Sequence, residues 1–300
     1  MKVLIAGGSG FMGKHLIESL IADNHQIWVL SRNPDQKIKG VQVVGWDGRT
    51  TEGWGHLVEE MDAVVNLSGL SLYAWPWTKR KKQRFIDSRV GPGHALAAAI
   101  IKADRRPGVF IQISGINHYG LRGEEVADES TSPGDDYLSQ LTVAWENATK
   151  PVEDVGVRHV ICRTAVVLAR DAILLWLMAL PVRLFLGGRF GSGKQALPWI
   201  HIDDQVGAIR FLMEHPKASG PFNLVAPQQT SNADFMRTLA KVLDRPYWMV
   251  YPKFLMRLVL GEMSVLVTEG RYSKTEHLFQ IGYNMRYPEL EMALRDLFKQ

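Results

Sequence analysis

Three glycines, Gly7, Gly10 and Gly13, stand three residues apart between an apolar segment at 2–6 (KVLIA) and a helical pattern at 15–22. That spacing between a strand and a helix suits the pyrophosphate of a dinucleotide. Gly7 permits the tight turn, and Gly10 lets the backbone approach the phosphates. Gly13 lets the helix pack close to the strand, so that its first N–H groups face the anion. Gly7, Gly10, Phe11, Met12 and Gly13 are therefore the expected cofactor contacts of this turn. A second apolar segment, 26–30, runs into Ser31-Arg32-Asn33-Pro34. An NAD site places a carboxylate about 20 residues after the glycines, to accept from the ribose 2′-hydroxyl. Here a hydroxyl and a guanidinium take its place: Arg32 can fork onto a 2′-phosphate and Ser31 can donate to it. NADP is the expected cofactor, with a solvated Arg32 as the other reading.

Such residues need a scaffold. Apolar runs at 41–44, 63–67, 109–113 and 159–162 alternate with helical patterns, among them 90–103 and 137–153. Near-continuous apolar strands separated by helices imply a parallel sheet covered on both faces. The expected fold is therefore α/β, a Rossmann-type doubly wound parallel sheet with ligands at the carboxyl ends of its strands. From about residue 168 the pattern changes to an apolar stretch and a glycine-rich loop (LGGRFGSG). Residues 1–171 plus 198–226 are expected to form the NAD(P)-binding Rossmann domain. Residues 172–197 plus 227–300 are expected to form a smaller C-terminal substrate or lid domain. Within 199–225, Asp203 could cap a helix at 204–214, and 220–225 reads as a returning strand.

The bulk numbers are those of an ordinary globular chain: 300 residues, 46% hydrophobic, 22% charged and a net charge of +4. The basic run Lys79-Arg80-Lys81-Lys82-Gln83-Arg84 has no nucleic-acid motif beside it and reads as a solvated helix face, or one reaching towards cofactor phosphates. The single cysteine, Cys162, excludes an internal disulfide and reads as a buried thiol. No targeting segment precedes the first strand, so a cytoplasmic protein is expected. The stretch 172–186 is apolar but too short to span a bilayer, and reads as a buried or pocket-lining helix and loop, with a membrane-surface role as the other reading. No spacing of His, Cys and carboxylates suggests a metal.

The chain resembles the extended short-chain dehydrogenase/reductases, and more closely their atypical epimerase-family branch, described as nucleoside-diphosphate-sugar epimerases with a C-terminal domain of their own. The likeness covers nearly the whole sequence. It rests on LIAGGSGFMGKHL, VVNLSG (64–69), DSRV (87–90), STSPGDDYLSQLTVAWENA (130–148), LGGRFGSGKQALPWIHIDD (186–204), GPFNLVAP (220–227) and GEMSVLVTEGRYS near the end. It implies an NADP-binding domain with the second domain closing over the nicotinamide. It further implies that Leu67, Ser68 and Val166 line the cofactor, and that Arg84 and Arg89 reach its phosphates. A surface ion pair is the other reading for Arg84.

An ordinary member of the wider short-chain superfamily uses a serine, a tyrosine and a lysine four residues after that tyrosine, the lysine lowering the tyrosine pKa, whereas the epimerase-family branch that this chain resembles typically lacks the tyrosine–lysine motif. Ser114, at the end of the strand at 109–113, can be the serine. The other two are missing: Tyr137 is followed four residues later by Leu141, and the adjacent register puts Leu138 and Thr142 in the two places. Tyr119, beside His118, and His201, near Asp203, are the substitute acid/base candidates. Lys194 or Arg189 could bind an anionic group. Two readings stay open. One is an NADP(H)-dependent oxidoreductase or epimerase acting on a small polar substrate, nucleotide-sugar-like among the options. The other is a non-catalytic NADP(H)-binding sensor or regulator. Neither involves nucleic acid or membrane. A homodimer through 90–103 is one expectation, and burial of that stretch within one copy is the other.

Overall fold

The computed structural model describes residues 1–121 and 125–299. The first half alternates as expected: β1 (Lys2–Ala6), α1 (Phe11–Ala22), β2 (Gln26–Ser31), β3 (Val41–Gly45), β4 (Ala63–Asn66), α2 (Lys79–Lys102) and β5 (Val109–Gly115). It continues through α3 (Tyr137–Asn147), β6 (Arg158–Thr164), β7 (Val166–Leu168), α4 (Ile173–Arg183), β8 (Gly187–Phe190) and β9 (Trp199–His201). Next come α5 (Ile202–Glu214), β10 (Gly220–Leu224), α6 (Asn232–Val242), β11 (Tyr247–Tyr251) and α7 (Lys253–Leu260). Three short helices close the chain: α8 (Val265–Thr268), α9 (His277–Gln280) and α10 (Leu290–Phe298).

Seven strands form one sheet in the order β10-β6-β5-β4-β1-β2-β3, with every pairing parallel. This is the doubly wound arrangement. The order reverses between β1 and β4, which opens a crevice at the carboxyl ends of those two strands. The side chains of β1, β2, β4 and β5 are buried on both faces, which is why these segments carry apolar runs rather than alternation. Two apolar clusters cover the faces. One is centred on Val3, Ile5, Leu16 and Ile111; the other, centred on Leu4, Trp54, Leu96 and Phe110, takes in α2.

Several segments depart from the sequence expectation. The helix expected at 90–103 begins at Lys79, because Thr78 caps it by accepting from the Lys81 N–H. The basic run is thus its first turns. Ala95, Leu96, Ala97, Ala99 and Ile100 of that helix are buried against the sheet of the same copy. The pattern at 137–153 breaks after Asn147 into a 3₁₀ turn containing Pro151, which cannot continue an α-helix. Segment 199–201 does not join the main sheet; β9 pairs with β7 in a separate two-stranded ribbon. A second ribbon joins β8 and β11. Helix α4 buries only one stripe, and its other stripe is exposed. Among the described residues no helix is long and apolar enough to cross a membrane.

Candidate functional site

The turn between β1 and α1 shows why it is built of glycine. Gly7 has φ +80°, and a Cβ placed there would lie 2.7 Å from the Leu67 carbonyl carbon at the end of β4. A Cβ on Gly13 would lie 2.5 Å from Gly8 Cα. Helix α1 starts at Phe11, with Gly10 as its N-cap and no side chain covering its first N–H groups, so these donors face outward for an anion. Ser68 Oγ is buried close by, with no hydrogen-bond partner among the described residues. Gly13→Val is expected to destabilise the fold by about 1–3 kcal/mol by forcing α1 off the turn. Urea unfolding measures this, and an unchanged midpoint would count against the tight packing.

A cleft of about 640 Å³ opens over the carboxyl ends of β1, β4 and β5. Gly7, Gly10, Phe11, Met12, Gly13, Leu67, Arg89, Ser114 and Val166 all line it. Ser68 lies just beneath, its N–H donating to Asn66 Oδ1 (3.1 Å). Arg89 is buried in the wall, its guanidinium 4.7 Å from the Trp145 ring centroid and donating to the Phe85 carbonyl. Burial lowers its pKa to about 10, which still leaves it cationic at neutral pH. Arg84, five residues earlier on the same helix, points to solvent and is not part of this lining. The helical period explains the split: five residues turn the helix by about 500°, so the two side chains project on different faces. At the far end of β2, Ser31 is buried and its Oγ accepts from the Asn33 N–H, while Arg32 is exposed. Lys194 and Arg189 are also exposed and lie outside the cleft lining.

The acid/base candidates separate sharply. Ser114 faces the cleft and donates to Glu146 Oε1 (2.7 Å). Glu146 is clamped by Arg163 through Nε (3.0 Å) and Nη2 (2.9 Å), with His118 Nδ1 3.4 Å away. Burial opposes ionisation of Glu146, but the His118 and Arg163 contacts overcome it and hold the carboxyl down at about 2. An ionised carboxylate only accepts, so Ser114 must spend its proton on Glu146 and offer lone pairs to the cleft. It serves a donor there, and cannot act as the hydrogen-bond donor to a carbonyl.

Tyr119 is 1% exposed and is absent from the cleft lining. Its hydroxyl donates to Asn223 Oδ1 (2.7 Å) and accepts from Arg163 Nη1 (3.0 Å), and burial pushes its pKa up to about 12. Tyr119 therefore ties β6 to β10 and is corrected from acid/base group to buried strut. His201 is likewise corrected. It is 1% exposed, stacks 3.8 Å from the Tyr287 ring centroid and caps α5, its Nδ1 accepting from the Asp203 N–H. The cap is His201 rather than Asp203, and burial lowers its pKa below the usual histidine value. Cys162 is buried, its thiol pushed up to about 12 by desolvation and unreactive at neutral pH.

Leu138 and Thr142 occupy the wall where a tyrosine and a lysine were sought, and Thr142 Oγ1 is spent on the Ser139 carbonyl (2.8 Å). The cleft supplies groups that sequence reasoning missed: Tyr73, Asn117, Asp171, Glu269 and Arg271. Glu269 and Arg271 fall in the block at 261–273 that carries part of the family resemblance, Tyr73, Asn117 and Asp171 belong to no such motif, and only the return of distant segments brings the five together. Tyr73 is half-buried, and desolvation raises its phenol to about 12, so it stays protonated. Among the described residues no cluster of His, Cys, Asp and Glu could hold a metal ion.

Comparison with known proteins fits this geometry. Residues 3–225 match the NAD dependent epimerase/dehydratase family, and residues 251–297 match a domain of unknown function, DUF1731. The chain is 33% identical to the epimerase family protein YfhF of Bacillus subtilis, over 99% of this chain and 98% of that one. It is 35% identical to the epimerase family protein SDR39U1 of Bos taurus, over 99% of both. The crystal structure of the human SDR39U1 protein with NADPH superposes with a TM-score of 0.88 at 31% identity, covering 99% of each chain.

Proposed function

Because the chain belongs to the NAD dependent epimerase/dehydratase family, we propose that it binds NADP(H) across the carboxyl ends of β1, β4 and β5. It exchanges a hydride there with a small polar ligand held in the same cleft. The observation that carries this reading is the glycine turn, where a Cβ on Gly7 or Gly13 would collide with backbone at under 3 Å. A Cβ at either position would push β4 or the turn itself out of place, and with it the uncapped α1 N-terminus on which a pyrophosphate would sit. Ser31 and Arg32 would take the 2′-phosphate, and NADPH in the human relative's crystal supports that choice. Arg89 would face the pyrophosphate, and Leu67, Ser68 and Val166 the remaining length of the cofactor. Residues 1–171 plus 198–226 would carry the cofactor and 172–197 plus 227–300 would close over the ligand.

Bound NADP(H) supplies or accepts the hydride. This chain's own residues must move the proton, and Leu138 and Thr142 remove the tyrosine–lysine route. Tyr73 is the hydroxyl suited to donate: it lines the cleft and keeps its proton at neutral pH. Ser114 orients the ligand by accepting from a ligand hydroxyl or amide. The same missing pair supports a second reading, a non-catalytic sensor of NADP(H). Fluorescence titration with NADPH, followed by a turnover screen on carbonyl compounds and nucleotide sugars, separates the two. With an enzyme, Tyr73→Phe should lower turnover by about 100-fold and leave the affinity for NADPH intact. Tight binding with no turnover across the panel would favour the sensor, and no binding would defeat both.

A further inference from the structure

We propose that the face built from α4, β11 and α7 docks on an anionic lipid surface. Helix α4 presents Trp176, Leu177 and Leu180 to solvent on one stripe, continued by Ile173 at the cleft edge and by Leu184 just past its end. Its opposite stripe, including Leu175, Met178 and Val182, is in the core, so the helix is apolar all round. Strand β11 alternates, with Trp248 (62% exposed) and Val250 outward. The Trp248 Nε1–H donates to the Phe185 carbonyl (2.9 Å), joining β11 to the turn after α4. Only Pro252 separates β11 from α7, a helix with no buried residue, on which Phe254 is 74% and Leu258 79% exposed. Apolar groups shown on two consecutive elements and on a third joined to them through the Trp248–Phe185 hydrogen bond are not the scattered singles of an ordinary surface.

The charge around this face selects its occupant. Segments 173–190 and 245–260 contain Arg183, Arg189, Arg245, Lys253 and Arg257 and no aspartate or glutamate. Asp171 and Asp244 flank these segments, Asp171 lying against His15 (3.0 Å); farther along, Lys253 pairs with Glu269 (2.8 Å), and Lys82 pairs with Glu262 in the turn after α7. That second pair places the basic run at the head of α2 beside the same face, which gives the run a role the cofactor cleft does not. A second copy on this face would set cation against cation. Anionic headgroups match the rim, while Phe, Trp and Leu side chains enter the acyl boundary. The docking is interfacial, since no described helix can cross.

The test is sedimentation of the full chain with vesicles of phosphatidylcholine alone and with about 30% phosphatidylglycerol. Binding is expected to be at least about tenfold stronger on the anionic vesicles and to fall with added salt. Phe254→Glu with Leu258→Glu should abolish it without changing the melting temperature, because both side chains are solvated. Arg80→Gln with Arg257→Gln should remove the preference for anionic lipid. Failure to sediment with either vesicle overturns the proposal, as do equal binding to both and binding retained by the Phe254/Leu258 variant. A dimer in sedimentation velocity that this variant converts to monomer, without vesicle binding by the parent chain, overturns it in favour of a second copy.

Discussion

Glu146→Leu is expected to cost about 3–5 kcal/mol of folding stability, among the largest losses available to a single substitution in this chain. Glu146 accepts from Ser114 and takes both the Nε and the Nη2 of Arg163, and all three side chains are buried. Removing the carboxylate strands a guanidinium that also holds the Tyr119 hydroxyl, and through it Asn223 on β10. The loss would thus spread across the edge of the sheet. Urea unfolding measures it, and Glu146→Leu with Arg163→Met should recover a good part, since no buried charge then remains. A single variant within about 1 kcal/mol of the parent would refute the account. The acid dependence follows from the same pair. The folded-state pKa of about 2 lies below the ordinary value near 4.5. The contribution is therefore complete above pH 4.5 and drains away as pH falls from there towards 2.

Arg32→Ala is expected to weaken NADPH by about 1.5–3 kcal/mol, or roughly 10- to 150-fold, while changing NADH less than about twofold. The asymmetry arises because only the phosphorylated coenzyme offers the 2′-phosphate a guanidinium can fork onto. Arg32 is exposed at the carboxyl end of β2, while Ser31 beside it is buried and, though it accepts from Asn33, keeps a proton to donate. Ser31→Ala should produce a smaller loss of the same sign. Calorimetric titration with both coenzymes reads the difference. Equal weakening of the two would remove Arg32 from the phosphate site.

How much of the site was legible depends on whether a role is local. The glycine turn could be read from spacing because its function is carried by backbone within seven consecutive residues. Arg89 could be placed on the strength of family resemblance, but its separation from Arg84 needed the helix phase of α2. Ser114 was legible as a residue at a strand end. Its hydrogen-bond polarity was not, because Glu146 lies 32 residues away and meets it only when α3 packs on β5. Tyr119 and His201 failed as candidates for a similar reason: nothing local tells whether a polar ring turns into a cleft or into the core. Tyr73 went unnamed because it belongs to a loop with no periodicity, and enters the cleft only where that loop folds over β4.

By itself the sequence determined the doubly wound parallel sheet, the phosphate-binding turn and the absence of a tyrosine–lysine pair, since these are properties of pattern along the chain. Only the tertiary structure decided which hydroxyls face the cleft, which are struts, and which apolar side chains of α4 are left in water. Burial and hydrogen-bond direction depend on neighbours brought from distant segments. A one-dimensional pattern records that a residue is polar or apolar, but not what it will be packed against.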